Sequence, residues 1–183
     1  MKEQPGLEEL KKQFMLNESW TLTFGAAFQR ASVYRGEVKD DQKENFKTDV
    51  RSFVESKLQT QYKNEGLDDN THIKNIYSLS DYTTKFSSIL NGGKLNFGVS
   101  QKLLNLNLKY LWCLGEIETP PHFPVDRRIQ VTLKLKPVAW TSFENEIEYL
   151  KIINHVRKNL NGFKDVANYE LNHFERRVKT IKK

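Results

Sequence analysis

The chain holds one cysteine, Cys113, among its 183 residues, which excludes an intrachain disulfide. Because it sits in an apolar run, Cys113 is expected to be a packed thiol. Nothing approaches the roughly eighteen consecutive apolar residues needed to span a bilayer. The opening stretch, MKEQPGLEEL, lacks the apolar core of a secretory signal. A cytoplasmic protein with no membrane partner is therefore expected. The four histidines, His72, His122, His155 and His173, are scattered, and none stands at a zinc spacing with Cys113 or with another histidine. A P-loop, a dinucleotide fingerprint, a G-x-S-x-G elbow and an EF-hand spacing are all missing. The expectation is thus no metal and no cofactor. Internal repeats, low-complexity blocks and a flexible linker are absent too, so residues 1–183 read as one domain.

What is present points to a helical, basic, globular chain. Hydrophobic residues make up only 38%, but eleven Phe, seven Tyr and three Trp supply large core side chains. The net charge of +6 favours an anionic partner, with nucleic acid ahead of a membrane surface. Leu7 to about Arg35 has a helical pattern, read as two helices meeting at Asn17–Ser19. Asp41 and Glu44 have capping-box spacing, and Phe46, Val50, Phe53, Val54 and Leu58 recur as one helix face. Residues 64–71 read as a loop. A helix then starts at Ser80 or Asp81, carries Tyr82, Phe86, Ile89 and Leu90 inward, and stops at Gly92-Gly93.

The stretch NFGVSQKLLNLNLKYLWCLG, residues 96–115, is read as a turn holding Gly98 followed by a helix from about Ser100 to Leu114. That helix is apolar almost all round, which belongs in an interior. Lys102, Asn105 and Lys109 are spaced by three and four and form its one polar line. The line faces either solvent or a cleft. Residues 116–124, EIETPPHFP, are a loop because Pro120, Pro121 and Pro124 forbid a helix. Residues 128–136 alternate as a strand does, although Ile129 and Leu133 also fit a helical turn. Thr141 and Glu144 form a second capping box for a helix that Gly162 ends. A last helix spans 164–180 and leaves the basic tail RRVKTIKK. The expected fold is mainly α: a two-lobed helical domain with a central hairpin at 81–115, a Pro-rich loop at 116–126, C-terminal helices over 142–180, and at most one short strand or β-hairpin at 128–136.

A cleft-facing lysine has a chemical use. Burial and a second cation nearby make such an amine a nucleophile toward a sugar C1′ or a carbonyl. The Pro-rich loop delivers one carboxylate, Asp126, just downstream. The segments DYTTKFSSIL (81–90), FGVSQK (97–102) and PVD (124–126) together resemble the helix-hairpin-helix DNA glycosylases, and within them the lysine-bearing 8-oxoguanine glycosylases, including the archaeal branch. The resemblance covers about residues 81–129. The Leu-Pro-Gly-Val-Gly turn of that family stands here as LNFGVS, with one glycine. It implies a glycosylase/AP lyase in which Lys102 is the nucleophile and Asp126 assists. Gly98 and Ser100 would hold the DNA backbone, and Gln101, Asn105 or His122 would touch base or sugar. Trp112, Phe123 and Tyr110 are candidate stacking surfaces. Lys109 is an alternative nucleophile on the same face. Two other functions remain open: a non-catalytic nucleic-acid-binding module, with DNA favoured over RNA and Asp126 a mere helix cap, and a helical protein-interaction domain whose stripe is a solvated face.

Overall fold

A computed structural model describes residues 5–64 and 66–174. It is mainly helical, with seven α-helices among the described residues: α1 (Leu7–Phe28), α2 (Asp40–Phe53), α3 (Asp69–Tyr82), α4 (Phe97–Cys113), α5 (Arg127–Thr132), α6 (Ile147–Lys158) and α7 (Val166–His173). The only β pairing described is an isolated bridge between Tyr34 and Leu90. None of these helices is long and apolar enough to cross a membrane.

The apolar helix α4 is the axis of the molecule. Its residues from Phe97 to Leu108 are all buried. It packs against α1 and α3. Leu103, Leu104, Leu108 and Leu111 join Trp20 and Phe24 of α1, Ile76 and Leu79 of α3, and Ile152, Ile153 and Val156 of α6 in one continuous core. A helix hydrophobic on every side can be stable only in such a place.

Several helix boundaries depart from the sequence pattern, each for a local reason. Residues 7–28 form one helix without a break at Asn17–Ser19. The Ser19 and Thr21 hydroxyls donate to the carbonyls of Leu16 and Asn17, so these polar residues are satisfied inside the helix. In α2 the box closes earlier than Asp41–Glu44: the Lys39 N–H donates to the Gln42 side chain at 3.2 Å. Helix α3 starts at Asp69, inside the expected loop, because Asp68 Oδ1 accepts from Thr71 N at 3.0 Å. Its buried face contains His72 and Asn75, which an apolar count overlooks. It ends at Tyr82, and a single 3₁₀ turn, Thr83–Phe86, stands where the first hairpin helix was expected.

The connection to α4 is therefore long, not a tight turn. It runs from Thr83 to Asn96 and bends through left-handed backbone at Gly92 and Gly93, with φ of 73° and 82°. Asn96 caps α4 by accepting from Val99 N, which puts Gly98 within the first helical turn. The strand expected at 128–136 is absent. Asp126 caps α5 there instead, and the cap outweighs the alternating pattern. Trp140–Ser142 is one 3₁₀ turn, and α6 begins only at Ile147, so Thr141 and Glu144 cap nothing. Asp165 caps α7 through Asn168 N. The expected continuation of that helix to residue 180, and the basic tail, lie outside the described residues. Cys113 is exposed, not packed, because it is the last residue of α4 and points outward as the helix leaves the core.

Candidate functional site

Lys102 and Asp126 meet. Lys102 Nζ lies 2.5 Å from Asp126 Oδ2, and their side chains are 7% and 24% exposed. Two local structures aim them at each other. Lys102 sits in the second turn of the buried helix α4, so its stem is fixed by the core. Asp126 is held from three sides. Its Oδ1 accepts from Arg128 N and Ile129 N at 2.8 and 3.1 Å, as an N-cap does. One residue earlier, Gln101 clamps Val125: its Nε2 donates to the Val125 carbonyl and its Oε1 accepts from the Val125 N–H. Past α5, the buried Gln130 grips both backbone groups of Val138. Burial by itself would push the Asp126 carboxyl up. The Lys102 cation and the two N–H donors outweigh burial and hold it below the usual carboxylate range.

The pair opens onto a cleft of about 1140 Å³ between α1, α2, α4, α5 and the Trp140 turn. Its aromatic lining comes from Trp20, Phe24, Phe28, Tyr34, Tyr110, Trp140 and Phe174. The Trp140 ring centre stands 5.9 Å from Lys102 Nζ. Gly98 is what brings Trp140 so near α4. A Cβ at Gly98 would lie 1.8 Å from the Trp140 carbonyl oxygen, and the Gly98 N–H donates to Phe143 O at 2.9 Å. The cleft also carries Arg30, Lys47, Arg51, Arg127 and Arg128 against only two carboxylates, Glu44 and Asp126.

Not every residue that the resemblance brought to the site reaches this cleft. Gly98 and Ser100 are buried, with the Gly98 N–H already spent on Phe143, so neither is open to a DNA phosphate. Gln101 is committed to Val125. Asn105 donates to Tyr149 Oη at 3.0 Å, and His122 shares that same hydroxyl at 2.8 Å. These two belong to a buried polar network on another side of α4. There His122 Nε2 faces Asp69 at 3.0 Å, Arg157 forks onto Asp69 at 2.8 and 2.9 Å, and Tyr62 meets His72 and Asn75. None of Gln101, Asn105 and His122 lines the cleft. Lys109 is also turned away: it pairs with buried Glu170 at 2.6 Å and lies 4.1 Å from the Phe174 ring centre. Burial pushes the Glu170 carboxyl up even beside that lysine. Among the stacking candidates, Tyr110 lines the cleft, whereas Phe123 is core.

The stripe of Lys102, Asn105 and Lys109 thus divides three ways, to the cleft, to the polar network and to α7. Its residues share a helix face, but different elements pack on successive turns. Sequence reasoning missed the cleft's other wall. Trp20, Tyr34 and Arg30 come from the N-terminal region, with no spacing relation to Lys102. Comparison with models of known protein families, with curated proteins and with solved structures returns no match to this chain.

Proposed function

We propose that the cleft accepts a nucleotide flipped out of DNA and that Lys102 acts on it as the nucleophile of a glycosylase/AP lyase. The observation that carries this reading is the Lys102–Asp126 contact of 2.5 Å at the wall of an aromatic, cation-rich cleft. Extrusion from the stack is how enzymes reach a base. In this mechanism Lys102 releases a proton to water, which frees the nitrogen lone pair while Asp126 stays a carboxylate. The amine attacks C1′, the bond from C1′ to the base breaks, and the departing base takes up a proton from water. The C1′-bound nitrogen then passes a proton to O4′ as C1′–O4′ breaks, which opens the sugar ring and leaves a protonated imine between Lys102 and C1′. Loss of a C2′ proton then expels the 3′ phosphate and nicks the strand. Asp126, held as a carboxylate, stabilises the positive charge that develops on the sugar. The aromatic lining gives the base a surface to stack on.

One observation favours a second reading. Both carboxylate oxygens of Asp126 are already engaged, one by the α5 cap and one by Lys102, as in a purely structural ion pair. In that case the cleft binds nucleic acid without chemistry. Borohydride decides between them. The protein is incubated with a duplex containing 8-oxoguanine or an abasic site, then reduced. A covalent adduct is expected with the wild type and with Lys109→Gln, and none with Lys102→Gln. Salt-sensitive retention of DNA without any adduct leaves the binding reading, and the absence of both removes the nucleic-acid reading altogether.

A further inference from the structure

The burial of Gly98 and Ser100 leaves a nucleic-acid cleft without the phosphate grip that the resemblance places at the hairpin. The cations of the cleft differ in how they are employed. Lys47 is neutralised by Glu44 at 2.7 Å, and Arg51 by Glu55 at 2.8 Å. Arg30, in the turn just past α1, and Arg127 in α5 are exposed and meet no carboxylate among the described residues. Arg128 is half-buried, lies 5.9 Å from the Phe174 ring centre, and likewise meets no carboxylate among them. All three residues line the cleft that holds Lys102. A guanidinium presents a planar fork suited to phosphate oxygens. A fourth group points the same way. Tyr34 also lines the cleft, and its hydroxyl is buried and has no hydrogen-bond partner among the described residues. An unsatisfied buried hydroxyl is costly, and a ligand acceptor relieves the cost.

We propose that Arg30, Arg127, Arg128 and the Tyr34 hydroxyl form the phosphate subsite of this cleft, holding the phosphodiester of a nucleotide whose sugar lies against Lys102. The subsite deepens the proposed function and rests on the cleft being its nucleic-acid site. The two arginines of α5 follow Asp126 directly, so the cap that aims Asp126 at Lys102 also sets the start of the strand of contacts. Phosphate positioning and sugar chemistry are thereby coupled through one short helix.

The test measures binding of a labelled single-stranded oligothymidylate between about 50 and 200 mM salt. The wild type is compared with Arg30→Gln/Arg127→Gln/Arg128→Gln and with a control, Lys39→Gln/Lys74→Gln/Lys158→Gln, which removes equal charge from exposed positions outside the cleft. Each single-strand phosphate contact adds about 0.7 to the salt slope, so the arginine variant is expected to lose about two units and the control close to none. Tyr34→Phe is expected to keep the slope and weaken binding about tenfold. Equal slopes in wild type and arginine variant overturn the subsite, and so does an equal loss in the control. Binding with the expected slopes but no borohydride adduct in the wild type leaves the subsite standing and overturns the lyase reading alone. No salt-dependent binding by the wild type overturns both. Thymidine monophosphate competing as well as the oligomer assigns the phosphate to a free nucleotide instead of a strand.

Discussion

Replacing Asp126 separates its two structural duties, and the expected costs follow from its contacts. Asp126→Asn keeps an oxygen for the N–H groups of Arg128 and Ile129, since Asn caps as well as Asp does. It removes the charge opposite Lys102, whose side chain is only 7% exposed. Losing one partner of a buried pair costs about 3–5 kcal/mol, and the partial exposure of Asp126 at 24% places this pair near 3 kcal/mol. Asp126→Ala loses the cap as well, at about 1 kcal/mol more. In a Lys102→Met background the Asp126→Asn change has no cation to strand, so its cost is expected to fall to about 1 kcal/mol or less. The cycle thus yields a coupling of about 2 kcal/mol, read from urea unfolding followed by tryptophan fluorescence. The pH dependence has a definite sign. Because the folded Asp126 carboxyl is held below its ordinary value, its stabilisation is present above the unfolded pKa of about 4 and is lost as pH falls through the folded value. The gap between wild type and Asp126→Asn should therefore be flat from about pH 5 to 8 and close at lower pH. A coupling below about 0.5 kcal/mol, or a gap unchanged at acid pH, refutes the idea that the ion pair organises this site.

Two further outcomes test the surrounding scaffold. Gly98→Ala pushes a methyl group to within 1.8 Å of the Trp140 carbonyl, a backbone atom that cannot swing aside. A loss of about 3 kcal/mol or more is expected, together with a changed tryptophan emission, and a near-neutral midpoint in urea would contradict the close approach. His72 and His122 are held neutral, first by burial, and their pKa values lie below the ordinary one. Stability is therefore expected to be full above the unfolded histidine pKa of about 6.5 and to decline as pH falls below it. Thermal melts at descending pH check this, and a flatter decline in His122→Gln assigns part of it to the Asp69–His122–Tyr149 chain.

The sequence by itself settled those features that depend on neighbours along the chain. An all-α architecture follows from helical periodicity. An interior helix beginning near Ser100 follows from a stretch that is apolar on nearly every side. The absence of a helix at 116–124 follows from three prolines. Helix starts were less legible, because caps such as Asp68, Asn96 and Asp165 compete with similar residues nearby, and a single side-chain hydrogen bond selects the winner. Asp126 shows the limit most clearly. Its residue type and its place after Pro-Val allowed a cap or a partner for Lys102, and the folded chain makes it both at once. Only the tertiary structure decided that Lys102 faces a cleft while Lys109, two turns on, is spent on Glu170. Only it showed that Gly98 serves the approach of Trp140 and that Gln101, Asn105 and His122 are bound up in buried hydrogen bonds. The physical reason is common to all of these. Helix periodicity tells which residues share a face. What covers each turn of that face is set by elements distant in sequence, here α1, α5, α6 and α7, whose docking is a property of the packed core.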